Sequence, residues 1–375
     1  MAARVANGED TMPFGVAVVG CGNISKQYLG NLTTFPDVKV LFCADLDADR
    51  AKAQAETYGV PDSGTVQQAL EHPDVRLVVN LTIPAAHAEV ASAAIAAGKH
   101  VWNEKPLAPD VAAGRALLDQ ADKAGLRVGC APDTLLGAGI QSARRLIASG
   151  AIGTPLSALV LFQGQGPESW HPDPEFLFAK GAGPLFDMGP YYLSVLATLF
   201  GPAARVAATS RKARETRVIG SGQRQGTEFG VQMPTYVSAL AEYDGGQAAS
   251  LLFSWDSPLT RTGFVEITGT EATLALPDPN RFDGDLRVRR AGEHEWTVIG
   301  SAGAAAGRGS GVVDMVRAIR RDRPHRASGE MAQHVLELMT AIERSAASSD
   351  FEPVESVFDL PEALAEDWDP YVAAA

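Results

Sequence analysis

The chain has 375 residues, 46% of them apolar and 21% charged, with a formal net charge of −13. That length supports a large core and two domains, and the acidic balance argues against duplex nucleic acid or an anionic membrane as a partner. No apolar run approaches the roughly 20 residues needed to span a bilayer, and residues 1–13 lack the features of a signal peptide, so they are expected to be a flexible leader.

Phe14–Val19 is a short apolar run that predicts a buried strand, and Ile24–Phe35 follows as a helix ended by Pro36. Val38–Ala44 reads as a second strand ending at Asp45. Asp47–Tyr58 reads as a helix with Asp47 at its N-cap, and Thr65–Glu71 as a shorter one. Arg76–Leu81 is a third strand, after which Thr82-Ile83-Pro84 opens a helix over Ala85–Ala97 that Gly98 stops. His100–Trp102 is a short strand before Asn103-Glu104-Lys105-Pro106. Pro109–Ala124 is a helix stopped by Gly125, and Leu126–Cys130 a further strand. Strands alternating with helices imply a parallel sheet covered on both faces, with ligands outside the carboxyl ends of its strands.

The pattern then changes. Leu135–Ser149 is an amphipathic helix, Leu156–Phe162 a strand, and Leu185–Phe200 an apolar helix beginning near Asp187. Strand candidates without intervening helices follow: Arg205–Ser210, Thr235–Tyr243, Gln247–Ser254, Gly263–Thr268, Ala272–Leu276, Leu286–Arg290 and Glu295–Ile299. Asp244-Gly245-Gly246 is a hairpin turn, so this sheet is largely antiparallel. Gly300–Gly311 reads as a loop, and Val312–Arg321 and Glu330–Ser345 as closing helices. The last twenty residues show little pattern beyond aromatic anchors at Trp368 and Tyr371.

The stretch V-A-V-V-G-C-G-N-I-S (16–25) has the order a dinucleotide pyrophosphate needs. Gly20 allows a tight turn and Gly22 lets the backbone approach the phosphates. Asn23, Ile24 and Ser25 open a helix whose N–H groups and dipole face them. Asp45, 25 residues after Gly20, stands where a carboxylate meets the ribose hydroxyls; the alternative is a turn or capping residue. A carboxylate there repels a 2′-phosphate, which favours NAD, while Arg50 one turn on leaves NADP open. Thr82, Pro84 and Glu104 join this set by their strand-end positions. His87 either neighbours the nicotinamide end or caps its helix. Cys21, Cys43 and Cys130 read as free buried thiols in a reducing cytoplasm, and His294, His325 and His334 as incidental, with no metal-ligand spacing.

Three pieces of sequence together resemble the glucose–fructose oxidoreductase/inositol dehydrogenase/MocA family. They are V-V-G-C-G-N-I-S, the run T-I-P-A-A-H (82–87) continuing to A-A-G-K-H-V-W-N-E-K-P-L-A (96–108), and G-A-G-P-L-F-D-M-G-P-Y-Y (181–192). The resemblance implies an α/β protein with a Rossmann domain over residues 14–134. It also implies a substrate-binding and oligomerisation domain with an open, largely antiparallel sheet over 135–355, and a tail over 356–375. It further implies an NAD(P)-dependent dehydrogenase or reductase of sugars or polyols, working as a homodimer or homotetramer. Lys105 matches the family lysine that bonds the reacting oxygen and assists proton transfer; Pro106 restricts its backbone. Asp187 matches the family aspartate that orients substrate hydroxyls and the lysine, with an N-cap role as the alternative. Many members carry a histidine four residues after that aspartate, where this chain has Tyr191, on the same helical face. Tyr191 either relays the proton or packs on the sugar while Lys105 or His171 carries it. Trp170 and His171 are candidates to meet the substrate, or a plain loop pair.

The leading reading is oxidation of a secondary alcohol on a sugar, glycoside or cyclitol. The rivals are a glycosidase that retains NAD and oxidises its sugar transiently, and a non-catalytic protein that binds NAD or a sugar. Bound cofactor without net NADH marks the first rival, and absence of any turnover the second.

Overall fold

The computed structural model describes residues 12–304 and 306–374. The expected leader, residues 1–13, lies outside them apart from Met12 and Pro13. The chain divides into two compact units. The first runs up to Leu136 and also takes in Ala304–Gln333 and the residues from Leu364 onward; the second comprises Gly137–Gly303 and His334–Ala363.

In the first unit β1 (Phe14–Val19), α1 (Ser25–Leu32), β2 (Val38–Ala44), α2 (Ala48–Tyr58), β3 (Asp62–Gly64), α3 (Val66–Glu71), β4 (Leu77–Asn80), α4 (His87–Ala96), β5 (His100–Asn103), α5 (Val111–Lys123) and β6 (Val128–Cys130) follow one another. All strand pairs are parallel, in the order β3-β2-β1-β4-β5-β6. Every residue of β1 and β4 is buried, as strands with helices on both faces require. The order reverses between β1 and β4, and the crevice for a ligand opens outside their carboxyl ends.

Local chemistry accounts for the element ends. Asp47 caps α2 by accepting from the Arg50 N–H at 3.1 Å, and Gly59 closes it in the left-handed conformation. Thr65 and Gln68 form a capping box on α3. The helix expected over Ile24–Phe35 ends early, because the Thr33 and Thr34 hydroxyls turn back onto the Leu29 and Asn31 carbonyls. The helix expected over Ala85–Ala97 begins as a 3₁₀ turn at Pro84–Ala86 before α4. The short β3, with no apolar signal, was not legible in the sequence.

In the second unit come α6 (Ala138–Ala148), β7 (Pro155–Gln165), α7 (Pro184–Phe200), β8 (Ala203–Arg211), β9 (Thr216–Val218), β10 (Glu228–Gly230), β11 (Tyr236–Tyr243), β12 (Ala248–Ser254), β13 (Asp256–Gly269), β14 (Ala272–Ala275), β15 (Leu286–Arg290) and β16 (Thr297–Ile299). Then follow α8 (Ser310–Arg320), which belongs to the first unit, α9 (Gly329–Ser348) and β17 (Glu352–Pro353). Nine strands form one sheet in the order β16-β15-β14-β13-β7-β12-β11-β8-β17, antiparallel except for β7 beside β12. β13 runs seven residues further toward its N-terminus than expected, with irregular register against β7. The β9–β10 hairpin was also missed; it packs Phe229 and Ile219 with Phe178 and Trp255.

One face of the large sheet carries α7, where Tyr192 lies between Phe162 and Phe253 and its Oη accepts the Gly263 N–H at 2.8 Å. In the first unit Asp37 is almost wholly buried and binds Arg317 and Arg320, both at 2.8 Å. Arg317 also donates to the carbonyls of Asp369 and Val372 and lies over Trp368, while Tyr371 meets Phe35 edge-on. His334 is structural, not incidental: Nε2 accepts the Ala203 N–H, which leaves Nδ1 to donate to the Ser356 carbonyl. His325 is likewise buried against the Val128 carbonyl. No helix among the described residues is long and apolar enough to cross a membrane.

Candidate active site

The glycine turn stands at the end of β1, beside the end of β4. Gly20 has φ +93°, and a Cβ there would lie 2.6 Å from the Leu81 carbonyl carbon, so no other residue fits. A Cβ on Gly22 would meet nothing within 4 Å, so the backbone there is open to close approach. No side chain caps α1, and Ser25 Oγ donates to the Gly22 carbonyl at 2.6 Å. The first amides of α1 thus keep the orientation that favours a phosphate.

Asp45 ends β2 and joins it to this turn. Its Oδ2 accepts the Cys21 N–H at 2.7 Å and its Oδ1 the Asp47 N–H at 2.9 Å. A carboxylate has about four acceptor sites, so this turn role leaves capacity for a ribose diol. Arg50 lies 3.6 Å from Asp45 and 3.3 Å from Asp47, drawn to carboxylates on the turn. The open glycine, the uncapped helix start and the carboxylate fit a dinucleotide. Cys21 and Cys43 are buried free thiols; the hydrogen bond that Cys21 donates to Cys43, followed by burial, pushes the Cys21 thiol up. Cys130 is also free and buried, and burial pushes its thiol up.

The second strand-end constellation is held from beneath by buried amides. Asn80 and Asn103, last residues of β4 and β5, are register partners. Asn80 Nδ2 donates to Asn103 Oδ1 at 2.9 Å and to the His87 carbonyl, while Asn103 Nδ2 donates to the Leu107 carbonyl. The Thr82 hydroxyl donates to Asn80 Oδ1 at 2.6 Å. His87 does not cap α4. Its ring is buried, with Nδ1 2.7 Å from the Pro106 carbonyl oxygen and Nε2 3.0 Å from that of Thr82. Both contacts are hydrogen bonds at once only when the ring carries both protons. The ring thus joins the Thr82–Pro84 turn to the Lys105–Pro106 turn. Glu104 turns inward, its Oε1 accepting from Tyr28 Oη at 2.9 Å and its Oε2 from the Lys105 N–H at 3.0 Å. Nearby Asp133 is fully buried, and burial pushes its carboxyl up while Arg308 opposes the shift. Asn80, Asn103 and Tyr28 are missing from the sequence-based set. The signal was a polar residue closing each of two apolar strands, V-V-N and V-W-N; that the two are partners is set by strand register.

In the second unit Asp187 is the fourth residue of α7, and its N–H donates to the Gly183 carbonyl at 2.9 Å. Gly183, at φ 99°, occupies the N-cap, so Asp187 is not the cap; Pro184 starts the helix one residue before the expected Leu185. Tyr191 follows one turn later, largely buried, whereas its neighbour Tyr192 is core. Trp170 is 67% exposed. Its indole meets the His171 ring at 5.5 Å, and His171 meets Phe176 at 5.4 Å, both edge-on. His171 Nδ1 accepts the Asp173 N–H, and Arg224 pairs with Asp173 and Glu175 below this loop. Among the described residues no three His, Cys, Asp or Glu side chains group as a metal site.

Two family models match the chain. One, described as an oxidoreductase family with an NAD-binding Rossmann fold, covers residues 14–131; the other, the GFO/IDH/MocA C-terminal domain, covers residues 140–275. Trans-1,2-dihydrobenzene-1,2-diol dehydrogenase of Bos taurus is 26% identical, over 74% of this chain and 78% of its own length. The 1,5-anhydro-D-fructose reductase of Ensifer adhaerens is 28% identical, over 68% of this chain and 74% of its own. Among solved structures, a levoglucosan dehydrogenase in complex with NADH superposes with a TM-score of 0.80 at 22% identity, over 92% of this chain and all of that one, a likeness of fold. The parallel sheet with its glycine turn, the mixed second sheet and both family models agree: the chain belongs to the glucose–fructose oxidoreductase/inositol dehydrogenase/MocA family of NAD-binding oxidoreductases.

Proposed function

We propose that this oxidoreductase moves a hydride between a nicotinamide and a secondary alcohol or ketone of a sugar, glycoside or cyclitol, with Lys105 assisting proton transfer. The observation that carries the reading is the Glu104–Lys105–Pro106 turn at the end of β5, held by partly buried bonds to Glu104 and His87 in the sheet that bears the cofactor turn. NAD supplies the hydride acceptor when bound. Gly20, Gly22, Asn23, Ile24 and Ser25 seat its phosphates, Asp45 its adenosine ribose, and Thr82, Pro84, His87 and Glu104 frame the nicotinamide end. The Arg50 contacts with Asp45 and Asp47 favour NAD over NADP, since a 2′-phosphate would have to compete with both carboxylates.

An ammonium at Lys105 stabilises developing negative charge on the reacting oxygen, and the neutral amine takes the hydroxyl proton. Asp187 orients the substrate hydroxyls, and Tyr191, sharing its helical face, relays the proton or packs against the ring. Trp170 and His171 offer an exposed aromatic surface for an apolar sugar face. The relatives named for a dihydrodiol, an anhydrofructose and levoglucosan support this substrate class. The uncovered face of the large sheet exposes Leu159 and Leu240 in one cross-strand row through Ser250, which supports association with a second copy as a homodimer or homotetramer. The three buried free thiols suit a reducing cytoplasm.

The test is a screen with NAD and separately with NADP. Levoglucosan, inositols, glycosides and trans-1,2-dihydrobenzene-1,2-diol are offered for oxidation, and 1,5-anhydro-D-fructose for reduction, each followed by NADH or NADPH absorbance. Turnover of at least one with NAD is expected. Glycoside cleavage with bound cofactor and no net NADH would replace this reading with the glycosidase, and binding without turnover would leave a sensor.

A further inference from the structure

We propose that Tyr28 is a positioning residue for Lys105, acting through Glu104 and coupling the cofactor-binding helix to the proton-transfer turn. This rests on the reading of Lys105 given above. Tyr28 is the fourth residue of α1, the helix that rises from the glycine turn. It is fully buried, and 76 residues separate it from the carboxylate it binds. Its Oη donates to Glu104 Oε1 at 2.9 Å and accepts a longer contact of 3.4 Å from Trp102 Nε1. The other oxygen of the same carboxylate accepts the Lys105 N–H at 3.0 Å. Glu104 is therefore a bridge with one oxygen on each side. It orients the peptide plane that leads directly into Lys105, and Tyr28 is what orients Glu104.

The rest of the turn is already fixed. The Glu104 N–H donates to the Asn80 carbonyl, its carbonyl receives a weak contact from Cys130 Sγ at 3.7 Å, and His87 holds Pro106. The Glu104 carboxylate is the part of this turn joined to α1. Burial, then the Glu104 charge, pushes the Tyr28 phenol well up, so it remains a donor throughout the working range. The buried Asp133 carboxyl and Arg308 complete the charged surroundings. A hydrophobic residue would fill the Tyr28 site as well for packing alone. The hydroxyl placed on a buried carboxylate is the feature that calls for a role.

The test compares Tyr28→Phe, Glu104→Gln and the double variant with the unaltered protein. It measures NAD affinity by calorimetry, kcat with the best substrate of the screen, and the pH midpoint for acetylation of Lys105 by acetic anhydride, read by peptide mass spectrometry. Tyr28→Phe is expected to leave NAD affinity within about twofold and to lower kcat roughly 10- to 100-fold, the scale of a small misplacement of a reacting group. It should also raise the Lys105 midpoint by roughly half a unit, as the released carboxylate swings toward the ammonium. Glu104→Gln should lower kcat comparably, and the double variant should be no worse than the poorer single one, because both act through one bond. Unchanged kcat and midpoint in a folded Tyr28→Phe protein would overturn the proposal, as would effects that multiply in the double variant. Should Tyr28→Phe not fold, Glu104→Gln decides: kcat and midpoint both unchanged overturns the coupling, and both altered supports it. If Lys105→Ala retains full turnover, the functional reading fails instead, whatever Tyr28 does.

Discussion

The turn at 103–107 in the first unit and the loop at 166–183 in the second both stand out in the sequence, and they are built differently. The first is fixed by polar bonds, fully buried between Asn80 and Asn103 and between Glu104 and Tyr28, partly buried between His87 and Pro106 and between Glu104 and the Lys105 amide. The second exposes Trp170 and Phe176, which meet the half-buried His171 edge-on beside the Arg224 ion pairs, while its Phe178 belongs to the core. Buried hydrogen bonds are directional and costly to leave unmade, so they hold a reacting group to a narrow geometry. Exposed rings leave their faces open to a ligand. The contrast supports the proposal of proton transfer at the turn and substrate recognition at the loop.

Breaking the chemistry at the turn should have the largest effect. Lys105→Ala is expected to lower kcat by roughly 10²- to 10⁴-fold, the usual contribution of a positioned acid–base group, with NAD affinity within about twofold by calorimetry. Next comes the support. His87→Ala removes the ring that contacts both the Thr82 and Pro106 carbonyls, which should cost about 1–3 kcal/mol in a urea melt and reduce turnover as well. An equal loss of stability from Trp170→Ala would erase the contrast.

The first unit should also weaken in mild acid. Burial, then the charges of Arg76 and Arg127, pushes the His100 ring down to about 4 from its ordinary 6.5, and burial also lowers His325. The unfolded chain takes up protons at these rings near pH 6.5 while the folded chain does not. Stability is therefore full above pH 6.5 and is lost as the pH falls toward 4, with His334 adding in the same direction from the second unit. The loss attributable to His100 is on the order of 2 kcal/mol after solvent screening, and His100→Gln should flatten the acid limb of a Tm-versus-pH curve. The smallest effect belongs to the loop. Trp170→Ala should raise KM about fivefold with kcat nearly unchanged, and stability should stay within about 0.5 kcal/mol.

Much of the first unit could be read from the chain because its information is local. Apolar runs, N-caps and left-handed glycines define β1, β2, α2 and α5 within a residue or two, and the glycine turn is legible because Gly20 admits nothing larger beside Leu81. Short motifs single out Lys105, Asp187 and Tyr191 as candidates. The polar partners around the Lys105 turn could not be read that way. Tyr28 reads as an ordinary helix residue until α1 is laid against the end of β5, and Asn80 and Asn103 pair through strand register. The same holds for Asp37, whose partners Arg317 and Arg320 lie some 280 residues away. Periodicity and turn chemistry act between neighbours and so are written along the chain. A buried carboxylate or amide takes whichever donor packing brings within about 3 Å, and that partner is set by the fold as a whole.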